Sequence, residues 1–308
     1  MQLDVSGHSD IGKKKDRNED SFGVFRADPP RTTLISEGAL AVVADGLGGH
    51  GNGDIASKLA VSIMRDMLRE PPPDDAAFRI ETLPDRGYLP QLRAAAERAN
   101  ENIYRTNVDH VAGRRPMGTT LLAAILARDA AWLINVGDSR AYHIRDGMVL
   151  AKTDDHSWLD EQVRQGLMTA EAAENDKRKN LVTRSVGTHA SVEVDCYHWP
   201  VAPGDILILC SDGLVNMVNE REIVRIACQP LPAKEIAIQL VDAANAAGGR
   251  DNITVIVAQV NPSPWLRLRS HAKAWLSRTI PMYTALLVGL VAVAIGCAAG
   301  WIFRGLFQ

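Results

Sequence analysis

The stretch Ala41-Val42-Val43-Ala44-Asp45-Gly46-Leu47-Gly48-Gly49-His50-Gly51-Asn52-Gly53 decides the fold. Its valine-rich start has the texture of a buried strand, and the strand ends abruptly at Asp45, where glycines let the backbone turn tightly and approach a ligand. A carboxylate is thereby placed at a strand end beside exposed backbone. Two readings compete there. Gly46, Gly48 and Gly51 match G-x-G-x-x-G, a helical segment follows over 54–69, and Asp66 stands 20 residues after Gly46, which imitates a dinucleotide fingerprint. Asp45 would then sit against the pyrophosphate it should help bind, and Asp66 falls inside an amphipathic helix instead of at the end of a second strand. The other reading is a metal site. An aspartate at a strand end, with a free glycine carbonyl beside it, suits a hard divalent cation with oxygen ligands.

That reading requires more such aspartates, and the chain supplies them. Asp138 follows the apolar run Ala130 to Val136, Asp212 follows Asp205 to Cys210, and Asp251 precedes Ile253 to Val260. For any one of them a turn or cap is the simpler explanation. Four acids at the ends of long buried strands point instead to a convergent carboxylate cluster. Like charges packed together resist ionisation unless cations neutralise them, so the cluster implies metal. The run Lys13, Lys14, Lys15 and Arg17 leads into Asn18-Glu19-Asp20. Alone it reads as a solvated loop; beside a metal cluster it offers cations for a phosphate.

Outward from these points, apolar residues recur at helical spacing over Ile55 to Leu68, and Pro71 to Pro73 stop that helix. A second helix is expected over Leu89 to Tyr104. Short apolar segments follow at Thr119 to Leu126, Ala130 to Val136 and Ala141 to Ile144, and Asp146-Gly147 signals a hairpin. Two further helices are expected over Asn219 to Ala227 and Pro232 to Ala246. The order reads as an antiparallel meander with helices elsewhere, hence α+β and not doubly wound. Leu3 to Asp10 reads as a short polar segment, and His156 as a hydrogen-bonded structural histidine.

A chain of 308 residues with 46% hydrophobic content can bury a full core. Its formal charge of -3 argues against an electrostatic nucleic-acid binder. Cys196, Cys210, Cys228 and Cys297 lack metal or disulfide spacing and read as small buried hydrophobes. The start of the chain has no signal-peptide pattern, so the folded part is expected in the cytosol.

Taken together, these segments resemble the metal-dependent protein phosphatases of type 2C, the PPM family, in its bacterial form. The matching pieces are Asn18-Glu19-Asp20, Asp45-Gly46-Leu47-Gly48-Gly49-His50, Gly118-Thr119-Thr120, Gly137-Asp138-Ser139-Arg140, Asp155-His156-Ser157, Thr183-Arg184-Ser185-Val186-Gly187, Ser211-Asp212-Gly213 and Asp251-Asn252-Ile253-Thr254. They stand in the family's order over about residues 5 to 260. The resemblance implies a sandwich of two antiparallel β-sheets flanked by helices. It implies that Asp45 bridges two Mg2+ or Mn2+ ions, that the Gly46 carbonyl binds the first, and that Asp212 and Asp251 complete the second. Glu19 would act through water, and Asp138 would hold a weaker third ion. Asp45, Asp212 and Asp251 thus form the expected catalytic set. The implied reaction is hydrolysis of phosphoserine or phosphothreonine in proteins by metal-activated water, opposing a Ser/Thr protein kinase. About 157–179 corresponds to the family's flap beside the cleft. Two positions depart from the pattern: Lys15 stands where the family usually has a phosphate-binding arginine, with Arg17 nearby as a substitute, and Leu47 stands where some members have a histidine acid. Lysine offers a point charge where arginine offers a bidentate fork.

Beyond Val260 the composition changes. Residues 261–281 form a basic juxtamembrane linker with Arg267, Arg269, Lys273 and Arg278, and Met282 to Phe303 is a run of 22 residues without a charge. As a helix this run spans about 33 Å, enough for a hydrocarbon core of about 30 Å. Four basic residues precede it and Arg304 follows, which places the catalytic domain, 1–260, on the cytoplasmic side of an inner membrane. Gly296 and Gly300 have the spacing of a helix-pairing motif, which allows a homodimer. The competing function is a weak or inactive phosphoprotein-binding module on the same tether; a dinucleotide oxidoreductase stands third.

Overall fold

A computed structural model describes residues 2–26, 38–48, 52–67, 87–110, 116–127, 129–169, 172, 176 and 181–261. Met1–Asn261 forms one unit. The expected basic linker and membrane span, 261–281 and 282–303, fall almost wholly outside the described residues, as do parts of the flap beyond residue 169. Among the described residues no helix is long and apolar enough to cross a membrane.

Two five-stranded antiparallel sheets stack face to face. In chain order the strands are β1 (Gln2–Asp10), β2 (Ser21–Arg26), β3 (Ala39–Ala44), β4 (Gly46–Leu47), β5 (Gly118–Thr119), β6 (Leu121–Ala127), β7 (Ala130–Val136), β8 (Arg140–Arg145), β9 (Met148–Lys152), β10 (Asp195–Pro200), β11 (Ile206–Cys210) and β12 (Ile253–Asn261). The helices are α1 (Gly53–Met67), α2 (Leu89–His110), α3 (Trp158–Arg164), α4 (Asp212–Val215), α5 (Glu220–Ala227) and α6 (Ala233–Ala246). One sheet runs β1-β12-β11-β8-β9, the other β10-β7-β6-β3-β2, and β4 pairs with β5.

The continuous apolar character of the central strands has a geometric cause. Successive side chains on a strand face opposite ways, so a strand covered on both faces must be apolar throughout. In β3, Ala41 and Val43 join Leu122 of the neighbouring β6 in facing the other sheet, where Leu209 and Ile256 share the same core. Leu40 and Val42 face the helices, packing with Met64, Leu92 and Ile103. β12 divides likewise: Ile256 and Ala258 join the core between the sheets, while Val255 and Val257 meet Ile223, Ile236 and Leu240 of α5 and α6. The layers are therefore helix, sheet, sheet, helix, and the α+β sandwich expected from the sequence is the architecture of the described residues.

Asp146 and Gly147 both have positive φ, 51° and 76°. They form the tight turn that joins β8 to β9 with Arg145 opposite Met148. The N-terminal segment corrects the sequence reading. Instead of a short polar segment, Gln2–Asp10 is a full edge strand in unbroken register with β12, from Gln2 opposite Asn261 to Asp10 opposite Ile253. Its stability comes from backbone pairing, with Val5 buried in the core between the sheets, so side-chain alternation left little trace. Asp4 on this strand also caps a helix. Its Oδ2 accepts from Ala233 N–H at 3.0 Å at the start of α6, whose own N-cap is Pro232. The cysteine reading needs a second correction, because Cys228 is exposed just after α5, whereas Cys210 is buried as expected.

Candidate metal centre

The strand ends gather acids from both sheets at one edge of the sandwich. Asp45 follows β3, Asp138 follows β7, Asp212 opens α4 directly after β11, and Asp251 precedes β12. Asp138 is 7% exposed; Asp45 and Asp212 keep some surface open although protein surrounds them deeply, as on the floor of a depression. A cavity of about 630 Å³ opens over Asp138 and Asp212, walled by Arg140, Leu159, Arg164 and Asn216 among others.

Asp45 is held through its backbone and Asp212 through its side chain. Thr120 N–H and Thr119 Oγ1 both donate to the Asp45 carbonyl at 2.8 Å, and Asp45 N–H donates to Thr120 Oγ1 at 2.8 Å. Gly46 and Gly53 pack backbone against backbone, since a Cβ on Gly46 would lie 2.4 Å from the Gly53 carbonyl oxygen and 2.6 Å from that of Glu19. Lacking a Cβ, Gly53 also lets its N–H reach the Glu19 carboxylate. Asn216 Nδ2 donates to Asp212 Oδ2 at 3.0 Å.

The electrostatics are those of acids forced together. Burial, then the charges of Asp20, Asp212, Asp138 and Asp251, push the Asp45 carboxyl well above its ordinary range. Asp212 is raised in the same way, by burial and then by Asp138, Asp251 and Asp20. Burial and the nearby Asp155 charge raise Asp138 to about 7. Glu19 is raised by burial and by the charges of Asp54 and Asp251, against the pull of Lys15 and the Gly53 N–H.

Asp20 completes this group and was not singled out from the sequence as a site residue. It is 7% exposed and burial raises it to about 6. Its Oδ2 accepts from Ser211 Oγ at 2.8 Å, but its buried Oδ1 has no hydrogen-bond donor. The signal lay in the Asn18-Glu19-Asp20 motif, where the site role went to Glu19 alone.

Lys15 reaches the group and Arg17 does not. Lys15 Nζ sits 2.6 Å from Asp251 Oδ1. Burial acts against the Lys15 charge, yet Asp251, Asp45 and Glu19 outweigh it and raise its pKa. The exposed Arg17 is held by its backbone carbonyl, which accepts from Asn252 Nδ2 at 2.9 Å. Asn252, 3% exposed, is the staple of this corner. Its Nδ2 also donates to the Ile11 carbonyl at 2.9 Å, and its Oδ1 accepts from Glu19 N–H at 2.8 Å. At about 1 to 1.5 kcal/mol net per hydrogen bond, Asn252→Ala is expected to cost roughly 3 to 4 kcal/mol, read as a lower urea midpoint. An unchanged midpoint would mean that the loop carrying Lys15 is anchored elsewhere.

His156 is the structural histidine expected, fully buried with both ring nitrogens hydrogen-bonded. Asp66 lies in α1 beside Arg65, its Oδ1 2.7 Å from Arg65 Nε, away from any second strand end. The dinucleotide reading has no support in that placement.

The donor set fits hard divalent cations: carboxylates packed together with raised pKa, a buried carboxylate oxygen without a donor, and Lys15 as the cation paired within the group. Among the described residues no three His, Cys, Asp or Glu side chains form a ready-made cage. Ions such as Mg2+ do not need one, because they keep several waters and draw on one or two carboxylates each.

Comparison with known proteins agrees. Residues 12–253 match the family model described as protein phosphatase 2C. The serine/threonine phosphatase stp of Listeria innocua is 37% identical over 255 residues, covering 82% of this chain and 94% of that protein. The S. agalactiae serine/threonine phosphatase superposes with a TM-score of 0.72 at 30% identity, covering 84% of this chain and all of that one. The catalytic domain of the serine/threonine protein phosphatase PstP in complex with 2 manganese ions superposes with a TM-score of 0.68 at 31% identity, covering 84% of this chain and 99% of that one. With its strand-end aspartates, its sandwich and this shared sequence, the chain belongs to the protein phosphatase 2C family.

Proposed function

We propose that Asp45, the Gly46 carbonyl, Asp212 and Asp251 hold the two core divalent ions of this metal-dependent protein serine/threonine phosphatase, with a weaker third ion on Asp138. The observation that carries this assignment is the convergence of carboxylates from four separate strand ends, with Asp45 and Asp212 raised by burial and by the charges of the acids around them. When bound, Mn2+ or Mg2+ ions supply activated water at neutral pH and screen the charge of the phosphoryl oxygens. The protein's own residues do the rest. Asp45 and Asp212 stand on a floor locked by Thr119, Thr120 and Asn216, so little reorganisation accompanies the reaction. Glu19, fixed by Asn252 and the Gly53 N–H, orients water at the edge of the floor. Lys15 offers its ammonium charge to the phosphate dianion as a point charge.

A side-chain nucleophile is not needed, and the nearest candidates are poorly suited to attack phosphorus. Ser211 Oγ donates to Asp20, Ser139 Oγ pairs with Thr120 Oγ1, and burial pushes the Cys210 thiol up to about 12. Leu47 has no proton to give, so the leaving serine or threonine oxygen takes its proton from cleft water. The substrate is a phosphorylated protein, its phosphate placed there by a Ser/Thr kinase. The uncharged run Met282 to Phe303 and its basic flank support a single-pass anchor that keeps the domain on the cytoplasmic face of an inner membrane.

The test is phosphate release from p-nitrophenyl phosphate and a phosphothreonine peptide by the full-length chain, with added Mn2+ and with chelator. Turnover is expected with Mn2+ and none with chelator. Lys15→Met is expected to raise KM for the peptide about tenfold, or about 1.4 kcal/mol, with a smaller change in kcat. A folded, Mn2+-binding chain without turnover on either substrate would favour the phosphoprotein-binding module instead.

A further inference from the structure

His156 has no part in the chemistry above, yet its surroundings are unusually complete. It is fully buried between the turn that carries Asp138 and the segment 181–195. Its Nδ1 accepts from Gly137 N–H at 3.1 Å. An accepting Nδ1 leaves the proton on Nε2, and Nε2–H faces Asp195 Oδ2 at 3.1 Å. Arg184 Nη1 also lies 3.5 Å from Nε2, but two donors cannot satisfy each other, so the carboxylate is the partner. Arg184 Nη1 in turn donates to Asp195 Oδ1 at 2.9 Å, which fixes the carboxylate from its other side.

The turn at the other end of this chain of contacts is equally constrained. His156 N–H donates to the Gly137 carbonyl at 3.0 Å, and Asn135 Nδ2 reaches the same carbonyl at 3.3 Å and that of Asp154 at 3.0 Å. Gly137 has φ of 110°, and a Cβ there would lie 2.6 Å from Thr120 Cγ2. Ser139 Oγ and Thr120 Oγ1, 2.8 Å apart, close the far side. Asp138 is therefore carried between two residues whose positions are set from outside. The His156 carbonyl also accepts from Thr183 N–H at 2.8 Å, where residues 157 and 182 pair at the root of the flap segment.

We propose that His156 is a positioning residue for Asp138: held in one tautomer by Asp195 and Arg184, its Nδ1 fixes the Gly137 amide, and that amide sets where the Asp138 carboxylate stands. The relay has the form of a carboxylate–histidine pair behind a metal ligand, acting through a backbone N–H in place of the ion. It rests on the assignment of Asp138 to the weaker ion.

The experiment is Mn2+ binding to the purified full-length chain, followed by the electron-paramagnetic-resonance signal of free Mn2+, alongside melting temperatures. Four single variants, Asp138→Asn, His156→Asn, His156→Gln and Asp195→Asn, and the double variant Asp138→Asn with His156→Gln are compared with the wild type. The Asn oxygen at 156 replaces the Nδ1 acceptor, whereas Gln keeps only the Nε2-like donor. His156→Gln is expected to weaken the weaker class of Mn2+ sites about 10- to 100-fold, the scale of outer-shell substitutions. His156→Asn should stay near the wild type, and Asp195→Asn should lose affinity in the same class of sites. In the Asp138→Asn background, His156→Gln should change Mn2+ binding no further, because the two act as one unit. Wild-type Mn2+ binding in His156→Gln with a lowered melting temperature would reduce His156 to a structural role, as would additive losses in the double variant. If His156→Gln does not fold, Asp195→Asn decides, and wild-type weak-site binding there overturns the proposal. Unchanged Mn2+ binding in Asp138→Asn itself overturns the metal assignment and the proposal with it.

Discussion

Asp45→Asn and Asp212→Asn are each expected to lower Mn2+-dependent kcat/KM on a phosphothreonine peptide by about a thousandfold or more, roughly 4 kcal/mol of transition-state stabilisation. The same variants, kept in chelator, are expected to melt at a higher temperature than the wild type. Both outcomes have one cause. Asp45 and Asp212 face each other, Asp20 and Asp138 in a site where burial already disfavours charge. Replacing one carboxylate by its neutral isostere removes repulsion without opening a cavity, and at Asp212 an amide oxygen still accepts from Asn216 Nδ2. What is lost is an anionic oxygen for a hard cation, for which a neutral amide is a much weaker ligand. A structural role would give the opposite sign in chelator, because removing a member of a satisfied buried network destabilises. Activity loss together with a lower melting temperature in chelator would therefore identify Asp45 and Asp212 as packing residues.

The parts of this site that were legible in the sequence are those in which a long buried strand delivers an acid. β3 is apolar at every position because both of its faces are covered, and the residue after it is Asp45. The same logic placed Asp212 after β11 and Asp251 before β12. Edge strands give no such signal. β1 carries Asp4, Ser6, His8 and Asp10 and is held by its pairing with β12, and β2 and β10 likewise lie at sheet edges. Because those strands were not anticipated, the residues they position were harder to weigh. Asp20 precedes β2, and only the folded chain brings Ser211, 191 residues away, to its carboxylate. The basic run also needed the fold. Which of Lys13, Lys14, Lys15 and Arg17 meets the acids depends on how Asn252 pins the loop at Ile11 and Arg17, and that leaves Lys15 at Asp251.

In chelator, the thermal stability of the wild type is expected to fall as pH rises from about 4 to about 7, the reverse of ordinary acid denaturation. An acid whose folded pKa lies above its unfolded value binds its proton more tightly when folded, so its contribution is present at low pH and is lost as pH rises through the folded pKa. Asp20, raised from 3.8 to about 6, and Asp138, raised from 3.8 to about 7, set the window. At about 1.4 kcal/mol per pKa unit, the two alone put several kcal/mol at stake, and Asp45 and Asp212 add to the same slope. Acids of the ordinary kind do not obscure it. Burial opposes ionisation of Asp195 and Asp205, but their partners, His156 and Arg184 for the first and Arg145 for the second, lower both pKa values, so both titrate below the window. Their contribution is present above the unfolded pKa and is lost only at lower pH. Mn2+ competes with the protons of the raised acids, so the melting-temperature gain on adding Mn2+ should grow across the window in which the chelated protein weakens. Asp138→Asn should flatten both trends, which assigns them to the acids of the floor. A chelated protein that gains stability from pH 4 to 7 would place the carboxylates in separate, solvated positions, and the metal centre would lose its electrostatic basis.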